Sequence, residues 1–167
     1  MDKVSLILIF FFLLNQSLNA TEIYGVPKII DGDTVHINSK KIRLKGIDAP
    51  EMKQQCKKTF LKIHLLINLE FKKNYSCGVS SKTKLVKKIK NSKINCISTT
   101  RDRYKRYLAT CYKNKINLNK WMVRNGYAVA YKRYSEDYVR DENYAKENKL
   151  GMWKGSFTRP EKWRKLN

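Results

Sequence analysis

The chain has 167 residues, and its 36 Lys and Arg against 14 Asp and Glu give a formal net charge of +22. This charge argues against an ordinary neutral metabolic enzyme and favours a polyanionic partner. Hydrophobic residues make up 42% of the chain and aromatic residues 11%, enough to bury a core, which excludes general disorder. The length predicts one domain.

The N-terminal segment has the pattern of a secretory signal peptide. Lys3 precedes a mostly apolar run at residues 4–14, and polar residues then lead to Ala20, a small residue suited to cleavage. A transmembrane helix needs about 20 apolar residues, more than this run contains. We expect residues 1–20 to be removed, residues 21–167 to form a single mature domain, and the protein to be exported. An uncleaved membrane anchor is the alternative.

Short strands with polar turns between them are predicted next. They cover residues 23–30, 34–37 and 41–47. The first turn contains Asp-Gly-Asp at residues 31–33, and the second is the polar segment at residues 38–40. In the third strand Ile42 and Leu44 alternate with Arg43, so Arg43 points to the opposite face of the sheet.

From residue 57 onwards, the sequence predicts a mixture of strands and helices, with the helices mostly towards the end. Residues 57–74 show no clean period and are interpreted as strand or irregular structure. A basic helix follows, capped by Ser80 or Ser81, ending near Asn91 and presenting an apolar side made of Leu85, Val86 and Ile89. The later elements are a strand pair at 94–98 and 107–112, a helix at 118–125 ended by Gly126, a helix from Ser135 through Lys149, and a tail packed on the domain.

Four cysteines in an exported chain predict two disulfides, with three ways to pair them. No C-x-x-C pair occurs and the two histidines lie far apart in sequence, so a zinc site is not indicated. Cys96 and Cys111 fall on the predicted strand pair, where a hairpin would bring them opposite each other and a bridge would stabilise by about 3 kcal/mol. Cys56 and Cys77 then pair by elimination.

Carboxylates and arginines concentrate in three segments of this lysine-rich chain, residues 29–35, 43–51 and 102–109. Asp33, Asp48 and Glu51 are hard oxygen donors of the kind that bind Ca²⁺. Taken singly, each segment has a structural explanation, because Asp-Gly is a turn signal, a proline closes the second strand, and Arg43 suits a solvated strand. Their joint presence in this order favours a site.

These segments resemble the thermonuclease family, the staphylococcal-nuclease-like Ca²⁺-dependent nucleases, and in particular its exported, cysteine-containing bacterial members. The motifs are I-D-G-D-T-V, R-L-x-G-I-D-A-P-E and D-R-Y-x-R-x-L-A, followed by residues 119–128 and 149–153. The resemblance implies an α+β, mainly β fold, an OB-fold barrel of five strands with about three helices. Such barrels commonly bind oligonucleotides. It also supports the Cys56–Cys77 pair.

The resemblance implies a Ca²⁺ site next to a water-activating group. Asp33 and Asp48 match the metal-binding carboxylates, and Ala49 matches a ligand that acts through its main-chain carbonyl, so its side chain is not critical. Glu51 matches the residue that orients or deprotonates the attacking water. The implied activity is hydrolysis of phosphodiester bonds in DNA and RNA, endonucleolytic and with 3′-phosphorylated products, by a periplasmic or secreted monomer without stable membrane association.

Two arginines, Arg43 and Arg106, match the pair that holds the scissile phosphate. Arginine suits this role because its planar fork binds phosphate oxygens bidentately, and loss of one such donor typically costs about 3 kcal/mol of transition-state stabilisation. The resemblance assigns contacts with a terminal phosphate or with the bound nucleotide to Arg103, Tyr104, Tyr131 and Tyr134.

Two features depart from the family pattern. Lys105 stands where a glycine is usual, and if that position needs a positive φ the lysine costs about 1 kcal/mol and could displace Arg106. Residues 57–74 form a longer segment than in the simplest members and could extend a loop near the site.

Two other functions compete with the nuclease: a catalytically inactive OB-fold module that binds nucleic acid, and a cationic membrane-active protein, for which a clear amphipathic helix is missing.

Overall fold

The computed structural model of the protein describes residues 20–64 and 68–167, so the predicted signal peptide lies outside the described residues except for Ala20. The strands are β1 (Thr21–Gly25), β2 (Lys28–Ile29), β3 (Thr34–Ile37), β4 (Lys40–Leu44), β5 (Ile47–Asp48), β6 (Gln55–His64), β7 (Asn68–Ser76), β8 (Ile94–Arg101), β9 (Tyr107–Lys113), β10 (Ile116–Asn117), β11 (Val129–Ala130) and β12 (Gly155–Ser156). The helices are α1 (Cys77–Ile89), α2 (Leu118–Arg124), α3 (Val139–Glu147), a 3₁₀ helix (Gly151–Lys154) and α4 (Pro160–Leu166). In the part of the chain that the structure describes, no helix is long and apolar enough to cross a membrane.

The main sheet has the strand order β1-β8-β9-β4-β3-β2, with β10 added to β9, and it curls into a half-barrel. Its five longest strands, β1, β3, β4, β8 and β9, correspond to the five strands of the predicted OB-fold. β4 runs parallel to β9 and antiparallel to β3, which places Arg43 between Thr34 and Leu108 in the middle of the sheet. The predicted α+β, mainly β fold class is confirmed.

The face of the sheet opposite Arg43 carries the hydrophobic core. Ile42 and Leu44 are fully buried, whereas the Arg43 side chain keeps 15% of its surface exposed. α1 and α2 cover this core with buried residues such as Leu85 and Met122. The predicted alternation along β4 is therefore confirmed, since consecutive side chains of a strand point to opposite faces.

Helix α1 begins earlier than predicted. It starts at Cys77 rather than after Ser80 or Ser81, and no side chain caps it. Ser81 lies inside the helix, where its hydroxyl donates a hydrogen bond to the carbonyl of Tyr127 (2.7 Å). The predicted apolar side holds only in part, because Val86 is 42% exposed. The first turn of α1 packs against β6, which carries Cys56, and this packing outweighs the preference of serine for the N-cap position.

Residues 57–74, interpreted as strand or irregular, belong to the long β6–β7 hairpin. The pairing shifts between Thr59 and Leu61, which accounts for the broken alternation in this segment. β12 adds a third strand on the other side of β6. Leu61 and Phe71 remain 46% and 40% exposed, whereas Cys56 and Tyr75 near the base of the hairpin pack with Val129 and Met152.

Two disulfides cross-link the domain at separate places. Cys96 and Cys111 lie directly opposite each other on β8 and β9, with their Cα atoms 4.0 Å apart. Cys56 on β6 is bonded to Cys77 at the start of α1, with a Cα–Cα distance of 5.6 Å. The structure therefore contains the pairing that hairpin geometry and elimination predicted.

The C-terminal part differs most from the prediction. α3 begins at Val139 rather than at Ser135, whose hydroxyl instead accepts a hydrogen bond from the Asp137 N–H in the preceding turn (3.1 Å). The tail forms α4, with Pro160 at its first position, where a proline needs no N–H partner. Within the described residues there are thus four α-helices instead of about three.

Candidate active site

The ends of β3, β4 and β5 bring two buried carboxylates onto one arginine. Asp33 directly precedes β3 and Asp48 ends β5, and they are only 3% and 1% exposed. The two terminal nitrogens of Arg43 donate one hydrogen bond to Asp33 and one to Asp48, the latter at 3.0 Å. One guanidinium thus bridges the two carboxylates predicted as metal ligands.

The segment before β3 serves as a turn and also positions Asp33. The Asp31 carboxylate accepts a hydrogen bond from the Asp33 N–H at 2.9 Å, a local closure typical of Asp in turns. The Asp33 side chain in turn accepts from the Ala49 N–H at 2.7 Å. Turn and site are therefore compatible, and the backbone at Ala49 is fixed next to Asp33.

Glu51 is held by its main chain while its side chain reaches solvent. Gln54, fully buried, donates its N–H to the Glu51 carbonyl (2.8 Å) and accepts from the Glu51 N–H through its side chain (3.3 Å). The first turn of α1 packs so closely that a Cβ on Gly78 would lie 1.9 Å from the Glu51 carbonyl oxygen. This backbone is rigid, and the Glu51 side chain is 38% exposed.

Arg164 on α4 is a site residue that the sequence analysis missed. Its Nη1 donates to Asp48 Oδ1 at 2.9 Å and to Glu51 Oε1 at 2.8 Å, and its Nη2 donates to Asp48 Oδ2 at 3.1 Å. No pattern in the sequence identifies it, because it is one of several basic residues in a short tail and its partners lie 113 and 116 residues away.

Negative charge in this cluster is only partly compensated. Burial raises the pKa of Asp33 to about 7 although Arg43 opposes the shift, and the nearby Asp31 raises it further. Burial also raises the pKa of Asp48 against the opposing effects of Arg164 and Arg43. Both carboxylates therefore favour an additional positive charge, since a nearby cation stabilises their ionised forms.

The donor chemistry of this cluster fits Ca²⁺, which prefers carboxylate, carbonyl and water oxygens. Within residues 20–64 and 68–167, no group of three or more His, Cys, Asp or Glu side chains is arranged to hold a metal ion. Asp33 and Asp48 alone do not complete a Ca²⁺ shell of six to eight oxygens, so main-chain and water oxygens have to supply the remainder. Ala49 follows Asp48 in sequence and donates its N–H to Asp33, so its main-chain carbonyl is a candidate for one of these oxygens.

Arg106, predicted to hold phosphate, is bound to a different carboxylate. Its Nε and Nη2 both lie 2.7 Å from Asp102 Oδ2. Lys105 before it has φ +61°, so this turn does use the left-handed conformation that glycine adopts readily, and the lysine still leaves Arg106 next to the start of β9. Burial opposes the ionised form of Asp102, but its bonds with Arg106 lower its pKa.

The predicted nucleotide contacts fall into two aromatic groups. Tyr131 follows β11, the strand paired with Asp48, and its ring meets that of Tyr134 edge-on with centroids 4.7 Å apart. Arg103 lies over the ring of Tyr104, with its Cζ 4.9 Å from the centroid, in the turn that also holds Arg106. Tyr134 and Tyr104 are 68% and 63% exposed, so both rings are accessible for stacking.

Comparison with known proteins identifies the family. The family model described as "Staphylococcal nuclease homologue" matches residues 41–155. The chain belongs to the staphylococcal nuclease family. The matched segment contains Arg43, Asp48, Glu51 and Arg106, whereas Asp33 and Arg164 lie outside it. The family resemblance predicted from the motifs is confirmed.

Bacterial relatives align with most of the chain. An "Uncharacterized endonuclease" of Haemophilus influenzae is 30% identical over 95% of this chain and 82% of its own length. A protein of the same name from Escherichia coli O157:H7 is 32% identical over 85% of this chain and 84% of its own length. The "Succinoglycan biosynthesis protein ExoI" of Rhizobium meliloti is 30% identical over 85% of this chain and 71% of its own length. Members of this family thus carry different names.

Proposed function

We propose that this protein is a Ca²⁺-dependent nuclease that hydrolyses phosphodiester bonds of DNA and RNA endonucleolytically, leaving 3′-phosphorylated products. The observation that carries the proposal is the bridging of buried Asp33 and Asp48 by Arg43, beside Glu51, in a chain of net charge +22. Family membership and the relatives named endonuclease support the same reaction class.

The proposed metal ligands are Asp33, Asp48 and the main-chain carbonyl of Ala49. Ca²⁺ bound there supplies Lewis-acid stabilisation of the charge on a phosphate oxygen. Arg43 offers a guanidinium already oriented by two carboxylates, so it binds phosphate oxygens with little reorganisation. Glu51, with a fixed backbone and a solvent-accessible carboxylate, orients the attacking water or accepts its proton.

The proposed nucleic-acid contacts come from two other segments of the chain, residues 103–106 and 131–134. Arg106 is the second phosphate-binding arginine, and its two contacts with Asp102 hold its guanidinium in place. Arg103 and Tyr104 contact a terminal phosphate. Tyr131 and Tyr134 flank the bound nucleotide, where stacking of one base on an aromatic ring contributes about 1–3 kcal/mol.

We further propose that residues 21–167 act as one exported domain after removal of the signal peptide. The two disulfides support an oxidising location, the periplasm or the outside of the cell. The mature protein is proposed to be a monomer without stable membrane association, with DNA and RNA as its substrates.

A second candidate function is an OB-fold module that binds nucleic acid without cleaving it. One observation favours it: Arg164 is bonded to both Asp48 and Glu51, two of the groups proposed for metal binding and water activation. Under this alternative the arginine would be a permanent substitute for the metal ion.

Replacing Glu51 with Gln separates the two functions. Side-chain size is preserved but the proton acceptor is lost, so turnover of DNA and RNA with Ca²⁺ should fall by at least ~10². Binding of a short oligonucleotide should stay within about tenfold, or ~1.4 kcal/mol. Both are measured on folded mature protein, with Ca²⁺ or with chelator.

Glu147→Gln is the matched control, because it removes the same charge from an exposed position on α3. It should leave turnover unchanged. Full activity of the Glu51 variant would refute the role given to Glu51. A wild type that binds DNA tightly and cleaves nothing with Ca²⁺ would establish the binding module instead.

A further inference from the structure

Arg164 donates hydrogen bonds to both carboxylate oxygens of Asp48. Its Nη1 is shared between Asp48 Oδ1 (2.9 Å) and Glu51 Oε1 (2.8 Å), and its Nη2 lies 3.1 Å from Asp48 Oδ2. Burial opposes the charged form of Arg164, but these contacts raise its pKa above the usual arginine value, so it stays charged. A fixed positive charge therefore lies on a carboxylate proposed to bind metal.

The helix that carries Arg164 is anchored at its beginning and free of the core at its end. Arg159, just before α4, donates to the Ala130 carbonyl at 2.9 Å, and Pro160 is buried. Lys165 and Leu166 at the other end are 69% and 68% exposed. Arg164 lies in this last turn with a third of its side chain exposed, so its long side chain can change partners without unfolding the domain.

We propose that Arg164 is a positioning residue of the nuclease site: a tethered counter-ion that holds Asp48 and Glu51 and exchanges with the divalent cation at Asp48. The inference rests on the proposed Ca²⁺-dependent function. Arg164 and Ca²⁺ are both positive and use the same carboxylate oxygens, so each weakens the binding of the other. Arg164 thereby sets the Ca²⁺ concentration at which the site fills.

Glu51 is the second carboxylate that Arg164 contacts, and it retains Arg164 at the site during the proposed exchange. Arg164 Nη1 also donates to Glu51 Oε1 at 2.8 Å, so a cation on Asp48 would leave Arg164 this second partner, and the other Glu51 oxygen would remain available for water. In the absence of the cation, Arg164 compensates part of the repulsion among Asp33, Asp48 and Glu51. Arg164 therefore stabilises the metal-free protein and opposes metal binding, two effects with a common origin in the same three contacts.

The test is calorimetric Ca²⁺ titration of the mature protein carrying Arg164→Gln, with Lys165→Gln as the control. Both variants remove one positive charge from the same helix, but the ion pair of Lys165 is with Glu161, at 3.8 Å, and not with Asp48 or Glu51. Arg164→Gln should bind Ca²⁺ about fivefold or more tightly than Lys165→Gln. Its unfolding temperature without Ca²⁺ should be lower than that of the control, and saturating Ca²⁺ should narrow the gap.

Arg164→Lys provides a second variant that retains the charge but lacks the two-pronged contact, and it should show an intermediate Ca²⁺ affinity. Equal or weaker Ca²⁺ affinity in Arg164→Gln than in Lys165→Gln would overturn the exchange, while Ca²⁺-dependent cleavage by the wild type would leave the proposed function standing. Absence of Ca²⁺ binding and of cleavage in all of these proteins would overturn both.

Discussion

Two clusters of buried carboxylate and arginine in this molecule have opposite electrostatic character. Glu142 on α3 is completely buried and accepts hydrogen bonds from Arg159 at 3.0 and 3.1 Å, from Lys146 at 2.9 Å and from the Ala130 N–H at 2.8 Å. Burial alone would raise its pKa, but these donors hold the pKa at about 2. The carboxylate of Glu142 is therefore fully compensated by its donors, and we call this group of residues the saturated cluster.

At the candidate active site the balance is reversed. Asp33, Asp48 and Glu51 share the guanidinium groups of Arg43 and Arg164, and burial dominates the pKa values of both aspartates. The same residue types thus produce one cluster in which Arg159 and Lys146 share a single carboxylate and a second cluster in which three carboxylates share two guanidinium groups. The number of cationic side chains per carboxylate, rather than burial, distinguishes the two clusters.

The largest effect is expected for Arg43→Lys. A lysine keeps the charge but cannot bridge Asp33 and Asp48 with two separate nitrogens, so turnover should fall by about 10² to 10³. Steady-state cleavage assays on folded protein measure it. Arg124→Lys is the control, because Arg124 also pairs with a buried carboxylate, that of Asp141 at 3.2 Å, and this pair includes none of the candidate site residues. Equal turnover in Arg43→Lys and Arg124→Lys would show that bridging of the two aspartates by Arg43 is not needed for cleavage.

Glu142→Gln tests the saturated cluster. Removing this carboxylate leaves Arg159 and Lys146 without their shared partner, and breaking such a buried pair should lower the free energy of unfolding by about 3 kcal/mol. Urea denaturation measures the loss against Glu147→Gln on the same helix. A loss no greater than that of the control would mean that the cluster contributes nothing to stability.

The pH dependence of unfolding follows from the same carboxylate. The folded-state pKa of Glu142, about 2, is below the ordinary 4.5, so the folded protein binds this proton less readily than the unfolded chain. Its stabilisation is present above about pH 4.5 and is lost as the pH falls towards 2. The wild type should lose more stability across this interval than Glu142→Gln does, as urea midpoints at several pH values would show.

The smallest effect on stability is expected for Asp33→Asn. It removes one negative charge from a cluster with an excess of carboxylates, so the free energy of unfolding without Ca²⁺ should stay the same or rise by up to about 1 kcal/mol. Cleavage should nevertheless be lost. Destabilisation as large as that of Glu142→Gln, measured in the same urea series, would erase the distinction between the two clusters.

Much of the candidate site could be predicted because its determinants are local. The alternation of Ile42 and Leu44 with Arg43 sets the face on which the arginine points, and Asp-Gly-Asp closes the turn that presents Asp33. Cys96 and Cys111 were predictable for a similar reason, since a single hairpin aligns them. Each of these inferences depends on neighbouring residues or on one strand pairing.

The remaining features depend on contacts that sequence patterns do not record. Arg164 contacts Asp48 across 116 residues of sequence, and it lies on α4, a seven-residue helix in a basic tail. The β6–β7 hairpin was ambiguous because the register shift between Thr59 and Leu61 interrupts the alternation that a strand would show in sequence. α1 begins at Cys77 because tertiary packing overrides the local capping preference of serine.

The Cys56–Cys77 disulfide isolates the β6–β7 hairpin from the main chain on either side of it, so cleavage or insertion within the hairpin has little effect there. It joins the two ends of the β6–β7 hairpin, so the segment between the cysteines, which are 21 residues apart in sequence, becomes a closed covalent ring that β12 also contacts at Lys57 and Lys58. A protease that nicks the ring leaves every residue attached, and an insertion at its tip adds chain without moving Gln54 or Glu51. We therefore expect changes of length within the ring to leave the main chain at the candidate site in place.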